Sequence, residues 1–152
     1  MNIICDKYDR EYQVTQCDPG GYERFNIEYH GNRAGYANCH FEGDVLHIDD
    51  LHIDEKAMRP RLFFVDLFFL AFSFPPERWR ITNYQNRGLG TAMIDFLANY
   101  GRKKLAKCME GEIKQYDFKN NPRLPEWYRR RGFVVVTGDI KTAAVARVSL
   151  VL

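Results

Sequence analysis

Hydrophobic and polar positions alternate along three consecutive stretches in the first third of the chain. "YERFNIEYH" (Tyr22 to His30) has partly alternating aromatics, and "HGNR" follows as a turn with Gly31 and Asn32 at its tip. "RAGYANCHFE" (Arg33 to Glu42) is a second strand, closed by a turn at Gly43-Asp44, and "VLHIDDLHID" (Val45 to Asp54) is a third. The pattern predicts an antiparallel meander of three strands. The third strand breaks the period of two, because Leu46 and Ile48 are out of phase with Leu51 and Ile53. One extra residue near Asp49-Asp50 returns all four to one face. Such a residue is a β-bulge, which leaves backbone groups unpaired and available to a ligand.

The remaining elements follow by the same logic. "RLFFVDLFFLAFSF" (Arg61 to Phe74) is so uniformly apolar that it fits a buried helix or a pair of short strands, and Pro75-Pro76 ends it. From Gly88 onward, Leu89, Met93, Phe96, Leu97 and Tyr100 fall at helical spacing, and Arg102 to Lys104 suit the negative end of that helix. "GEIKQYDF" (Gly111 to Phe118) reads as a strand. "NPRLPEWYRRRGF" (Asn121 to Phe133) reads as a short helix with prolines in its first turn and Gly132 after its end. "FVVVTG" and "AAVARVSLVL" are two strands joined by a turn at Gly138-Asp139. The order is three strands, helix, strand, helix, two strands, and the strand–helix–strand crossover predicts a parallel pair within the sheet.

Composition narrows the class. The 152 residues suit one domain with a real core, and 45% hydrophobic with 28% charged residues is the balance of a globular protein. The net charge of +2 is too small to argue by itself for a nucleic-acid partner. "MNIICDKYD" has no long apolar run, and the apolar Leu62 to Phe74 run is too short, and too interrupted by Asp66, to span a bilayer. Cys5, Cys17, Cys39 and Cys108 are scattered with no CxxC, which favours reduced thiols and a cytoplasmic setting over a disulfide framework or zinc ribbon.

The chemistry concentrates in "YQNRGLGTAMIDFL" (Tyr84 to Leu97), where two glycines stand at the mouth of the predicted helix. A helix N-terminus presents unpaired N–H groups and about half a positive charge, and glycine lets an anion reach that backbone. No Gly-Lys-Ser/Thr follows, so the stretch is not a P-loop. Met93 stands where a dinucleotide fingerprint needs its third glycine. Gln85-Asn86-Arg87-Gly88-Leu89-Gly90 instead resembles the pyrophosphate motif of the GNAT superfamily, the acetyl-CoA-dependent N-acyltransferases. Two further features follow that family's order. The bulged strand precedes the motif, and Asn121, Tyr128, Gly132 and Phe133 match the family's Asn…Phe-Tyr-x-x-x-Gly-Phe segment.

The resemblance implies an α+β, GNAT-like fold. Its centre is a mixed, mostly antiparallel sheet with a splayed parallel pair, flanked by helices. It implies one acyltransferase domain over residues 1–152, acetyl-CoA as cosubstrate, and an amine acceptor of unspecified identity. Leu51, His52 and Ile53 would hold the pantetheine arm, and Gln85, Asn86, Arg87, Gly88, Leu89, Gly90 and Thr91 the diphosphate. Asn121 would complete the cofactor site. Tyr128 would be the general acid and His47 the position of the base, with Asp49 and Asp50 as substitutes. Pairing the hairpin about Gly43-Asp44 sets His40 across from His47. Arg129 to Arg131 are a weak candidate for a nucleotide phosphate, against the plainer reading of a solvated helix end.

Two departures from the family are visible. Only about twenty residues precede the first clear strand, so the usual first strand and first two helices do not all fit. Some thirty residues, an aromatic-rich insert at about 56–83, separate the bulged strand from the glycines. The insert, Met58 to Trp79 at its centre, would replace the missing acceptor wall or form a homodimer contact. "HIDDLHID" also has metal-ligand residue types, but His47 and His52 fall on different faces of a simple strand, so no metal is expected. Two rival classes stand beside the enzyme: a non-catalytic CoA-binding or protein-interaction module of the same fold, and a single-strand nucleic-acid binder built on the aromatic strands. The second lacks an RNP-type motif.

Overall fold

The computed structural model of the chain describes residues 2–17, 22–55, 83–137 and 144–152. The described elements are, in order, β1 (Asn2–Cys5), β2 (Glu11–Cys17), β3 (Glu23–Tyr29), β4 (Asn32–Glu42), β5 (Val45–Ile53), α1 (Leu89–Lys103), β6 (Cys108–Lys114), α2 (Gln115–Asn120), α3 (Leu124–Arg129), β7 (Val134–Thr137) and β8 (Ala144–Val151). The hydrogen-bonded strand order is β1-β2-β3-β4-β5-β6-β8-β7. The chain forms two compact units. The first holds β1 to β3, β4 up to Ala37, β5 from Leu51, and the glycine loop with α1 up to Ile94. The second holds β4 from Asn38, β5 up to Asp50, α1 from Asp95 and everything after it.

In the first unit, the N-terminal residues form an antiparallel hairpin, Asn2↔Val14 to Cys5↔Glu11, that the reading of the sequence passed over. Tyr12 and Val14 are buried at a period of two, while their neighbours on β2 are exposed. The hairpin turn is built on Asp6, which is only 5% exposed. Its carboxylate accepts the N–H of Tyr8 at 2.8 Å, the N–H of Arg10 at 3.1 Å and the hydroxyl of Tyr12 at 3.1 Å. A carboxylate this buried requires such donors. It lies beside the Tyr12 phenol, whose titration is pushed well above the ordinary tyrosine range, first by burial and then by the negative charge of Asp6.

β2 pairs antiparallel with β3, from Gln13↔Glu28 to Cys17↔Arg24. The following turn has its tip at His30-Gly31, not Gly31-Asn32. Both tip residues have positive φ, 47° and 76°, the pair that a tight hairpin of this twist requires, and Asn32 already belongs to β4. Tyr12, Phe25, Ile27, Tyr84, Leu89 and Met93 are fully buried.

In the second unit, β5 and β6 run parallel, from Val45↔Cys108 to Ile48↔Gly111, as the crossover predicted. β6 pairs antiparallel with β8, and β8 with β7. The predicted strand Gly111 to Phe118 is only half right. β6 ends at Lys114, where Asp117 caps α2 by accepting the N–H of Lys114 at 3.3 Å, and Gln115–Asn120 is helical. Local capping there overrides strand propensity. The short helix expected near Asn121 is α3, with Pro125 in its first turn, and Gly132 follows it at φ +84°. The body of the aromatic insert and the turn at Gly138-Asp139 lie outside the described residues, so the expectations for an acceptor wall and a dimer contact find no answer there.

Candidate functional site

The phase slip of β5 is present. Leu46 and Ile48 are buried, Asp49 and Asp50 are exposed in succession, and Leu51 and Ile53 are partly buried with His52 exposed between them. In the first unit the end of this strand lies beside β4. The N–H of Asp54 donates to the carbonyl of Ala34 at 3.0 Å. The carbonyl of His52 lies so near Gly35 that a Cβ there would stand 2.5 Å from it. Backbone direction alternates along a strand, so Leu51 and Ile53 turn their polar groups away from β4. There the side-chain amide of Gln85 donates to the carbonyl of Ile53 at 3.4 Å, and also reaches Glu55 at 3.4 Å. The strand end and the glycine motif, thirty residues apart in the sequence reading, are thus joined by a direct contact.

The motif itself is a loop of unusual backbone. Asn86 has φ +58° and Gly88 φ +86°. The first bond of α1 is from Ala92 N–H to the Gly88 carbonyl at 3.0 Å, so the amides of Leu89 and Gly90 precede the helical ladder. The loop is braced from three directions. Asn83 Oδ1 accepts the Gln85 N–H at 2.7 Å, Arg87 Nε donates to the Asn83 carbonyl at 2.6 Å, and Lys7 N–H donates to the Arg87 carbonyl at 2.8 Å. The last contact comes from the hairpin that the sequence reading missed. An open cleft of about 1090 Å³ borders the loop, and its walls include Lys7, Tyr8, Arg10, Asn86 and Arg87. The cations of Lys7, Arg10 and Arg87 stand 5.0, 5.8 and 6.0 Å from the ring of Tyr8. A diphosphate fits this chemistry: helix-end amides, a backbone without a Cβ at Gly88, and nearby cations.

The second unit holds His47, Asn121 and Tyr128. Tyr128 is buried on α3, its ring edge-on to Trp127 at 4.8 Å and to Phe133 at 5.1 Å. Burial, and then the negative charge of Asp117, raise its titration to about 12. Asn121 ends α2. Its side-chain carbonyl accepts the N–H of Arg123 at 3.2 Å and shapes the turn into α3. The three arginines after Tyr128 have local partners. Arg129 and Arg130 pair with Glu126 at 3.7 and 3.2 Å, and Arg131 stacks on Trp127 at 3.8 Å.

His40 and His47 face each other across their hairpin, rings nearly parallel at 17° with centroids 5.0 Å apart. His40 Nδ1 lies 2.8 Å from Asp49 Oδ2, and His47 Nε2 lies 3.7 Å from Glu42 Oε2. Among the described residues no group of three or more His, Cys, Asp and Glu is arranged to hold a metal ion, and no helix is long and apolar enough to cross a membrane.

No protein-family model matches the sequence, and no curated protein matches it. The fold does match solved structures of GNAT-family acetyltransferases. One, from Elizabethkingia anophelis with acetyl-CoA bound, superposes with a TM-score of 0.60 at 9% identity, over 93% of this chain and 98% of that one. A structure from Bacillus anthracis, in complex with acetyl coenzyme A, gives 0.58 at 14% identity, over 90% of this chain and 65% of that one. The PaiA N-acetyltransferase of Thermoplasma acidophilum, in complex with coenzyme A, gives 0.55 at 10% identity, and this chain spans 60% of its length while 85% of this chain is covered. At such identities the likeness is one of fold: the mixed sheet with a parallel pair and flanking helices is the GNAT architecture.

Proposed function

We propose that this chain binds acetyl-CoA and transfers its acetyl group to an amine by direct attack. The observation that carries this reading is the Gln85–Ile53 contact, because it joins the phase-slipped strand to a left-handed glycine loop that opens a helix. In this reading the amides of Leu89 and Gly90, with Thr91 and the loop Gln85 to Gly88, hold the diphosphate, and Arg87 adds charge. Of the three strand residues, Leu51 and Ile53 present their backbone to the pantetheine arm, and His52 serves the strand by its contact with Gly35. Asn121 contributes to the same cofactor through its amide nitrogen.

What acetyl-CoA supplies is an acyl thioester. What the chain supplies is a proton acceptor for the incoming ammonium and a donor for the leaving sulfur. His47 is the acceptor in this reading, since a neutral imidazole carries one ring nitrogen with a free lone pair. Tyr128 is the donor. A phenol titrating near 12 stays protonated at any working pH. Full transfer to a thiolate, whose own pKa is about 8.5, is uphill by about 5 kcal/mol. Tyr128 therefore serves by hydrogen bonding to the sulfur as charge develops on it.

Calorimetric titration with coenzyme A, followed by free-thiol release across a panel of amines, tests the reading. Binding with thiol release is the expected result. The alternative, a non-catalytic module of the same fold, predicts binding with no thiol release for any amine. Absence of binding ends both.

A further inference from the structure

The second unit carries a polar row across one sheet face that the cofactor reading does not use. His47 and Glu110 are Cα partners in the parallel ladder, so their side chains leave the same face. Glu110 is opposite Ser149, and Glu112 opposite Arg147. His40 extends the row through its stack on His47. The row borders a groove of about 390 Å³ placed where the parallel ladder ends, at Ile48↔Gly111. Arg147 lies 3.6 Å from Glu112, and Glu110, the ladder partner of His47, lines the same groove with Lys114.

The geometry of His40 is the informative part. A carboxylate only accepts, so the 2.8 Å contact with Asp49 places the ring proton on Nδ1 of His40. That bond fixes both the tautomer and the tilt of the ring. The fixed ring then lies flat against His47, within 17° of parallel. A half-exposed histidine on a strand ordinarily samples several rotamers. Here one side of His47 is set by a neighbour that is itself anchored.

We propose that the groove takes the acceptor as a primary ammonium, with Glu110 as its counter-charge, and that the His40–Asp49 pair is the positioning pair for His47. This rests on the acyl-transfer reading. In the step it serves, an N–H bond of the ammonium breaks and its proton bonds to a ring nitrogen of His47. The electron pair stays on the amine nitrogen, which then forms the bond to the thioester carbon as the C–S bond breaks and the sulfur leaves with its pair; the acylated nitrogen gives up its second proton to that thiolate, leaving a neutral amide and the coenzyme A thiol. His40 touches neither substrate, so its role is exerted through His47. The charged groups facing these rings are Glu42, Asp49, Glu110, Glu112, Lys114 and Arg147, and each remains in place in the variants below unless it is the residue changed.

The test uses the whole chain with acetyl-CoA, and with 1,5-diaminopentane and a lysine-containing peptide as probes. Thiol release, its pH profile, coenzyme A affinity and thermal melting are measured for His40→Ala, Asp49→Asn and Glu110→Gln. Expected are a kcat about tenfold to a hundredfold lower for the first two, with a displaced pH profile and coenzyme A affinity within about twofold of the parent. Glu110→Gln raises KM for the diamine and leaves coenzyme A affinity unchanged. If His40→Ala does not fold, Asp49→Asn, altered only at an exposed carboxylate, decides the matter. Parent-like kcat and pH profile in Asp49→Asn overturn the positioning pair. Coenzyme A binding without transfer to either primary amine overturns the ammonium site and leaves cofactor binding standing. A parent protein that does not bind coenzyme A overturns the underlying reading and this proposal together.

Discussion

The backbone N–H of Lys7 donates to the carbonyl of Arg87 across 2.8 Å, so the turn of the N-terminal hairpin is fastened to the glycine loop. The turn is rigid in its own right, because Asp6 collects three donors at its centre. Lys7→Pro deletes this donor, and the expected outcome is a loss of about 1 kcal/mol in stability. Coenzyme A affinity falls in the same variant, since the loop loses one of its three braces. Melting and calorimetry measure the two effects separately.

The two glycines of the motif have different reasons to be there. Gly88 sits at φ +86°, and a Cβ there meets nothing closer than Lys7 N at 3.5 Å, so its requirement is conformational. Gly88→Ala is expected to cost about 1–2 kcal/mol in stability and to weaken coenzyme A binding as well. Gly90 lies inside α1, where alanine is the better helix former by about 0.5–1 kcal/mol. Gly90→Ala is therefore expected to melt no lower than the parent while binding coenzyme A more weakly. A variant that keeps both stability and affinity would show that the second glycine serves no ligand.

Gly35 reports on the end of β5. An added Cβ would lie 2.5 Å from the His52 carbonyl and 3.0 Å from Ile53 Cδ1, and the backbone oxygen has no flexible tip to yield. Gly35→Ala is expected to push the two strands apart, at about 1–3 kcal/mol. Loss of the Gln85–Ile53 contact and of coenzyme A affinity should follow, visible as faster amide exchange at Asp54 and a weaker calorimetric signal.

Tyr128 makes a prediction in pH as well as in rate. Its folded value of about 12 lies above the unfolded value of 10, so between those limits the unfolded chain holds fewer protons. The contribution is fully present below pH 10 and is lost as the pH rises through 12, about 3 kcal/mol over the interval. Tyr128→Phe should abolish that alkaline loss, while lowering turnover and leaving coenzyme A affinity within about twofold. Unchanged turnover removes the phenol from the chemistry.

Much of the architecture was written locally. The alternation of Leu46, Ile48, Leu51 and Ile53 announced the slip in β5, and the crossover order announced the parallel ladder. The spacing about Gly43-Asp44 set His40 against His47. The N-terminal hairpin also carried a signal, Tyr12 and Val14 at a period of two. Its turn is organised by the buried carboxylate of Asp6, which no local period announces. α2 was hidden because a single capping contact, Asp117 to Lys114, outweighs the strand propensity of "GEIKQYDF".

The sequence by itself determined which backbone segments can meet an anion and which strands can lie side by side. Both follow from φ preferences and from the periods of 2 and 3.6 that every residue obeys locally. Only the tertiary structure decided that Gln85 reaches Ile53 and that Lys7 braces Arg87. Those contacts depend on where distant segments are brought by burying Tyr12, Tyr84, Leu89 and Met93. Burial is non-directional: it constrains which residues go inside and leaves open which polar groups then stand opposite one another.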